Sequence, residues 1–295
     1  MPPNRVENAA APVRHADRHR HRRRWCDRCT GRMVRLPRCR LRSSGTGGQP
    51  LARPAPLEMT ALPDDAVLTE AGLAATGQGR TLILACGALA REVLALKALN
   101  SWDHLDLHCL PANLHLWPDR ITPAVEAAVL KARAQYDQVL VLYADCGTGG
   151  KLFEKCKELG VEMIEGPHCY SFFEGNDVFV PRTETEFTAF YLTDFLVRQF
   201  DAFVWRPMGL DRHPELRDMY FGNYTKLVYQ AQTDDAGLDA KAEDCAARLG
   251  LAYERRYTGY GDLATFLARH AESDLKDNGL SVKAQVDCDK PVPQN

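Results

Sequence analysis

From Thr81 onward, short apolar blocks alternate with stretches of helical periodicity. Thr81-Leu82-Ile83-Leu84-Ala85 is an unbroken apolar run ending at Cys86-Gly87. A run of that length, closed by a turn residue, predicts a strand buried on both faces. Residues 89–99 then predict a helix, and Leu105-Asp106-Leu107-His108-Cys109 a second strand. Thr122-Pro123 predicts a helix start, with Thr as the N-cap, running to about Gln135. Residues 138–144 form the strongest strand signal and lead into Asp145-Cys146-Gly147-Thr148-Gly149-Gly150. A helix over 151–159 stops at Gly160. Val161-Glu162-Met163-Ile164 predicts a strand before Pro167-His168-Cys169. Thr183 and Glu186 have capping-box spacing and predict a long helix to about Phe200. Further strand and helix signals fall at 202–205, 223–232, 241–249, 251–255 and 262–270. Strands alternating with helices predict an α/β fold: one domain over 81–275 with a mainly parallel sheet flanked by helices.

An internal correspondence runs through this pattern. Cys86-Gly87 is followed by His108-Cys109, and Cys146-Gly147 by His168-Cys169, at a constant offset of 60 residues. Arg91 matches Lys151, Lys97 matches Lys157 and Leu99 matches Leu159 at the same offset. The pattern predicts a duplicated strand–helix–strand unit, near 81–110 and again near 139–170. Each of the four cysteines then falls at or just after the carboxyl end of a parallel strand, where open α/β sheets bind ligands.

Four thiols gathered at one sheet edge suit a metal. Thiolates bind zinc tetrahedrally at about 2.3 Å, and four-cysteine sets also hold iron–sulfur clusters. Cys86, Cys109, Cys146 and Cys169 are therefore the candidate ligands. Buried core cysteines and reversible redox thiols are competing readings. His108 and His168 adjoin a cysteine, so on a straight strand they face the other way and would support the sulfurs from behind. His115 lies in the loop after Cys109 and is the candidate general acid–base group or further ligand, set against an ordinary surface histidine. The loop after residue 145 does not match a phosphate-binding pattern, because Leu152 stands where a magnesium-binding hydroxyl belongs. Gly147, Thr148, Gly149 and Gly150 are instead expected to open space over the sulfurs and offer amides to an anionic substrate. Tyr224 and Lys226, in a segment dense in polar and aromatic side chains, are expected to contact that substrate. Cys156, Cys245 and Cys288 read as structural or incidental.

The net charge of -2 over 295 residues conceals two unlike parts. Residues 1–58 hold 14 Arg, no Lys and 4 acids, a charge of +10; the remainder holds 23 basic and 35 acidic residues, a charge of -12. The basic segment has little apolar periodicity and is expected to be disordered. Its Cys26, Cys29 and Cys39 lack the second pair of a zinc site. Arginine without lysine suggests translated upstream DNA, with Met59 as the start. Residues 59–80 read as a linker and 276–295 as a frayed tail. An acidic body argues against nucleic acid as a partner, and no apolar run is long enough to cross a membrane.

The strings Leu84-Ala85-Cys86-Gly87-Ala88-Leu89, Tyr143-Ala144-Asp145-Cys146-Gly147-Thr148-Gly149-Gly150, Gly166-Pro167-His168-Cys169-Tyr170, Phe190-Tyr191-Leu192-Thr193-Asp194-Phe195 and Gly222-Asn223-Tyr224 resemble the domain of unknown function 1638 family over about 80–270. The resemblance brings no catalytic residue with it. Members of that family often stand beside components of corrinoid-dependent methyl transfer, which implies a one-carbon role. The expectation is a cytoplasmic metalloprotein of methyl or thiol metabolism, with a zinc or iron–sulfur site and a small-molecule substrate. The alternatives are a metal-free accessory protein docking a corrinoid or methyltransferase partner, and a thiol redox protein.

Overall fold

The computed structural model describes residues 62–277. The basic segment, its three cysteines, Cys288 and the tail beyond Asp277 lie outside the described residues. Seven strands form two sheets, both wholly parallel. The first comprises β1 (Thr81–Cys86), β2 (Leu105–Leu110), β3 (Gln138–Leu142) and the two-residue β4 (Glu162–Met163), in the order β2-β1-β3-β4. The second comprises β5 (Ala189–Thr193), β6 (Lys226–Ala231) and β7 (Ala252–Tyr257), in that order.

Every residue of β1 is buried, as its continuous apolar run requires of a strand covered on both faces. The helices α1 (Asp65–Glu70), α2 (Ala90–Asn100), α3 (Ile121–Ala132) and α4 (Lys151–Glu158) accompany the first sheet. In α3, Ile121, Val125, Val129 and Ala132 are buried, a stripe at helical spacing. α5 (Cys169–Glu174) and α6 (Asn176–Thr183) precede the second sheet, which carries α7 (Asp194–Arg198), α8 (Arg217–Phe221) and α9 (Ala236–Leu249). In α9 the Asp235 carboxylate caps the start by accepting from the Gly237 and Leu238 amides, and Gly250 at φ 73 ends it in a left-handed turn. The last helix, α10 (Gly261–Asp277), returns to the first sheet, where Leu263, Phe266 and Leu267 join its core.

Several expectations change. The single long helix over 183–200 is instead the end of α6, the strand β5 and the short α7. The capping-box spacing competed with Ala189-Phe190-Tyr191-Leu192-Thr193, an aromatic and β-branched run that packs better in a sheet. Residues 202–205, which the sequence does not assign between strand and helix, lie in a π-helical turn. α3 begins at Ile121 with Arg120 as its N-cap, so Thr122 and Pro123 sit in the first turn. Within residues 62–80, read as linker, α1 buries Leu68, and Leu73 bridges to Cys109. The duplication is not reproduced in local structure: Cys109 lies inside β2, whereas its counterpart Cys169 opens α5. Cys86 ends β1, whereas Cys146 falls in the turn beyond β3.

Candidate sulfur-lined site

In the first sheet β1 has β2 on one side and β3 on the other. The chain therefore reverses its direction of travel across the sheet at β1 and β3, and a crevice opens beyond their carboxyl ends. Cys86 is the last residue of β1, and Cys146 follows β3 by four residues. The segment before α5 runs alongside that turn. The Asp145 amide donates to the Gly166 carbonyl at 3.1 Å and the Cys146 amide to the Pro167 carbonyl at 3.3 Å. This pairing brings Cys169, two residues on, to Cys146. His115 arrives from the 3-10 turn Ala112–Leu116 that follows β2, with its Nδ1 3.8 Å from the Cys86 sulfur.

The electrostatics show how closely these groups are joined. The Cys146 thiol is held well below its ordinary range, first by a hydrogen bond from Cys169 and then by His115, against the effect of burial. Cys169 is pushed well up by the same hydrogen bond and by burial, so it keeps its proton and donates. Burial would lower His115, but hydrogen bonds with Cys146 and Cys86 raise it well above the ordinary imidazole range. These interactions favour a thiolate at Cys146 and an imidazolium at His115, with the Cys169 thiol as donor. Tyr143, the residue after β3, is fully buried and its hydroxyl finds no partner of ordinary hydrogen-bond geometry. Burial raises its pKa well above the usual range, followed by the charges of Cys86, Cys109 and Cys146, which places the phenol against the sulfurs. Sequence reasoning missed Tyr143. Its one signal was a hydroxyl-bearing residue at the end of an otherwise aliphatic strand.

Cys109 stands apart from the other three. By strand register it pairs with Ala85, one step out of phase with Cys86. Burial raises its pKa well up, followed by the charges of Cys86 and Glu92. His168 is the N-cap of α5 and adds the smallest of the effects that lower the Cys146 thiol. His108 is half-buried on β2, its pKa lowered by burial and then by Lys131.

The glycine loop carries an acceptor of its own. The Asp145 carboxylate accepts from the Gly150 amide at 2.6 Å, the Thr148 hydroxyl at 2.8 Å and the Gly149 amide at 3.2 Å. Those donors are spent inside the loop. They brace Cys146, a non-glycine residue at φ 48, in a left-handed conformation that L side chains avoid. Gly147, Gly149 and Gly150 all adopt positive φ around it. Tyr224 and Lys226 belong to the second sheet. Tyr224 packs edge-on against Phe190, and the Lys226 ammonium sits between Glu186 and Glu254.

Cys156 and Cys245 are buried in α4 and α9, and burial alone or chiefly raises each thiol to about 11. All six described cysteines are free. Among the described residues, no group of three or more His, Cys, Asp or Glu side chains stands already arranged to hold a metal ion. A cleft of about 510 Å³ beside β4 and α10 is lined by Glu162, Asn176, Asp262 and Arg269 among others, and by none of the expected site residues. Its charges are solvated ion pairs, so the perturbed chemistry lies at the sulfurs. No described helix is long and apolar enough to cross a membrane.

A family described as Protein of unknown function (DUF1638) matches residues 109–267, just over half of the chain. No curated protein and no solved structure matches the chain.

Proposed function

The chain belongs to the DUF1638 family, and from its own geometry we propose that it is a metalloprotein whose centre is the thiolate–imidazole cluster around Cys146. The observation that carries this reading is the joint perturbation of Cys146, Cys169 and His115 beside Cys86. Burying three thiols against an imidazole is costly beside an apolar core of the same volume. A soft dication would neutralise several thiolates at once and repay that cost. Cys86, Cys146, Cys169 and His115 fit zinc, which takes mixed sulfur and nitrogen sets. A four-cysteine iron–sulfur cluster would have to recruit Cys109 in place of His115. Loading the metal takes side-chain rotation to close the set, and Tyr143 is placed to donate a hydrogen bond to Cys86.

When bound, zinc would hold a substrate thiol as the thiolate and keep it nucleophilic. The protein's own groups do the rest: Asp145 braces the turn, and the buried position of Cys86 and Cys146 excludes water. A role in methyl or thiol metabolism follows from this chemistry. Six free thiols suit a reducing compartment such as the cytoplasm. A corrinoid or methyltransferase protein is the partner we propose, on the strength of the family resemblance.

The test is metal analysis of anaerobically purified protein, followed by zinc competition against a chromophoric chelator. We expect one colourless zinc per chain and proton release on binding. Cys146→Ala and His115→Ala should each weaken zinc by at least about 100-fold, and Cys109→Ala by less than about 10-fold. A brown chromophore would replace zinc by iron–sulfur. Protein that binds neither metal would overturn the reading. One observation favours a second reading. The paired shifts of Cys146 and Cys169 are those of a thiolate with its resolving thiol, so a reversible disulfide between them, found by thiol titration, would make this a redox protein.

A further inference from the structure

A small, partly open cavity of about 40 Å³ adjoins the sulfur site. His115 and Cys169 line it together with Thr193, Phe195 and Phe203 from the second half of the chain and Ala88 after β1. On that measure one water needs about 10–15 Å³, so the space takes roughly three heavy atoms. No carboxylate, ammonium or guanidinium faces it. A charged ligand would lose its hydration there without a free counter-charge. Two hydroxyl-bearing residues line it as well: Tyr170, and Thr193, whose hydroxyl accepts from the Leu196 amide at 3.4 Å.

We propose that this cavity is the substrate end of the sulfur site and admits a small uncharged molecule, or the uncharged end of one, of up to about three heavy atoms. The inference rests on the reading of Cys146 and Cys169 as the working thiols, and not on the identity or presence of a metal.

Size-graded alkylation of the metal-free protein under chelator tests it. Iodomethane has two heavy atoms and iodoacetamide five. In both cases the sulfur forms a bond to carbon, the carbon–iodine bond breaks and iodide leaves, so no oxidant is involved. Peptide mapping reads which cysteine has reacted. We expect Cys146 or Cys169 in the folded protein to be methylated at least about 10-fold faster than it is carbamidomethylated. The chain unfolded in guanidinium should show the opposite order, because iodoacetamide is the more reactive reagent. Ala88→Phe, which fills the space, should abolish methylation with the circular dichroism spectrum unchanged. The wild-type comparison carries the test should that variant misfold. Equal rates for the two reagents at these cysteines, or no reaction with either, would overturn the proposal. Failure of the zinc assay with size selectivity intact would leave the cavity standing and remove the metal; the reverse outcome would remove only the cavity.

Discussion

Burial decides the acid–base behaviour of Glu92, a first-turn residue of α2 that is 4% exposed. Its pKa rises to about 7 because burial penalises the carboxylate more than Arg198 favours it, and its Oε2 has no hydrogen-bond partner. The folded pKa lies above the ordinary 4.5, so between pH 4.5 and about 7 the native state holds a proton that the unfolded chain has released. Stability falls with rising pH across that window. We expect Glu92→Gln to abolish the fall, gaining about 3 kcal/mol on the native protein between pH 4 and pH 8 in urea midpoints. An unchanged pH profile would refute the assignment. Cys146 follows the opposite logic: interactions with Cys169 and His115 hold a thiol ionised that burial alone would protonate. Nothing in the string Asp145-Cys146-Gly147 distinguishes these outcomes, because each depends on which groups other segments bring alongside. The chemical identity of the site residues was legible in the sequence. Their ranking, with Cys109 outside and Tyr143 inside, was not.

Single side chains also tie elements together. Asp106 in β2 accepts from the Thr76 amide and hydroxyl, both at 3.0 Å, the Gly77 amide at 2.6 Å and the Tyr136 hydroxyl at 2.7 Å. It thereby fastens the stretch before β1 and the end of the α3 segment onto one strand. Burial alone would raise its pKa, but these bonds, Tyr136 foremost, bring it down to about 2. A depressed pKa contributes stability that is present above the unfolded 3.8 and lost as pH falls towards 2. Asp106→Asn should therefore cost about 2 kcal/mol at pH 7, a difference that shrinks below pH 4 in the same unfolding assay. Strands β1 and β3 and helices α4 and α9 were readable because apolar period, caps and stop residues agree within each. β5 was not. Its five residues sit between a capping-box spacing and a helix start, and only pairing with β6 decides for the strand.

At the scale of the whole molecule, a buried ionic cluster spans segments far apart in sequence. Arg198 at the end of α7 donates to Asp65 of α1 at 2.8 Å, and Arg91 of α2 reaches the same carboxylate at 2.9 Å. Arg198→Met would leave Asp65 and Glu92 short of a counter-charge. We expect a loss of about 3–5 kcal/mol, with Asp65→Asn in the same chain recovering part of it. Full additivity of the two changes would show that the pair is not coupled. The return of α10 to the core of the first sheet likewise links the chain's end to its beginning. By itself the sequence determined the α/β class, the parallel strands and the family, because short-range hydrophobic period and local motifs encode them. It also determined that cysteines would stand at the carboxyl ends of β1 and β2 and in the segments that follow β3 and β4. The tertiary structure alone decided that there are two sheets, that the glycine-loop amides serve Asp145, and that His115 meets Cys86 and Cys146. Each of those depends on contacts between residues tens of positions apart, for which periodicity along the chain carries no signal.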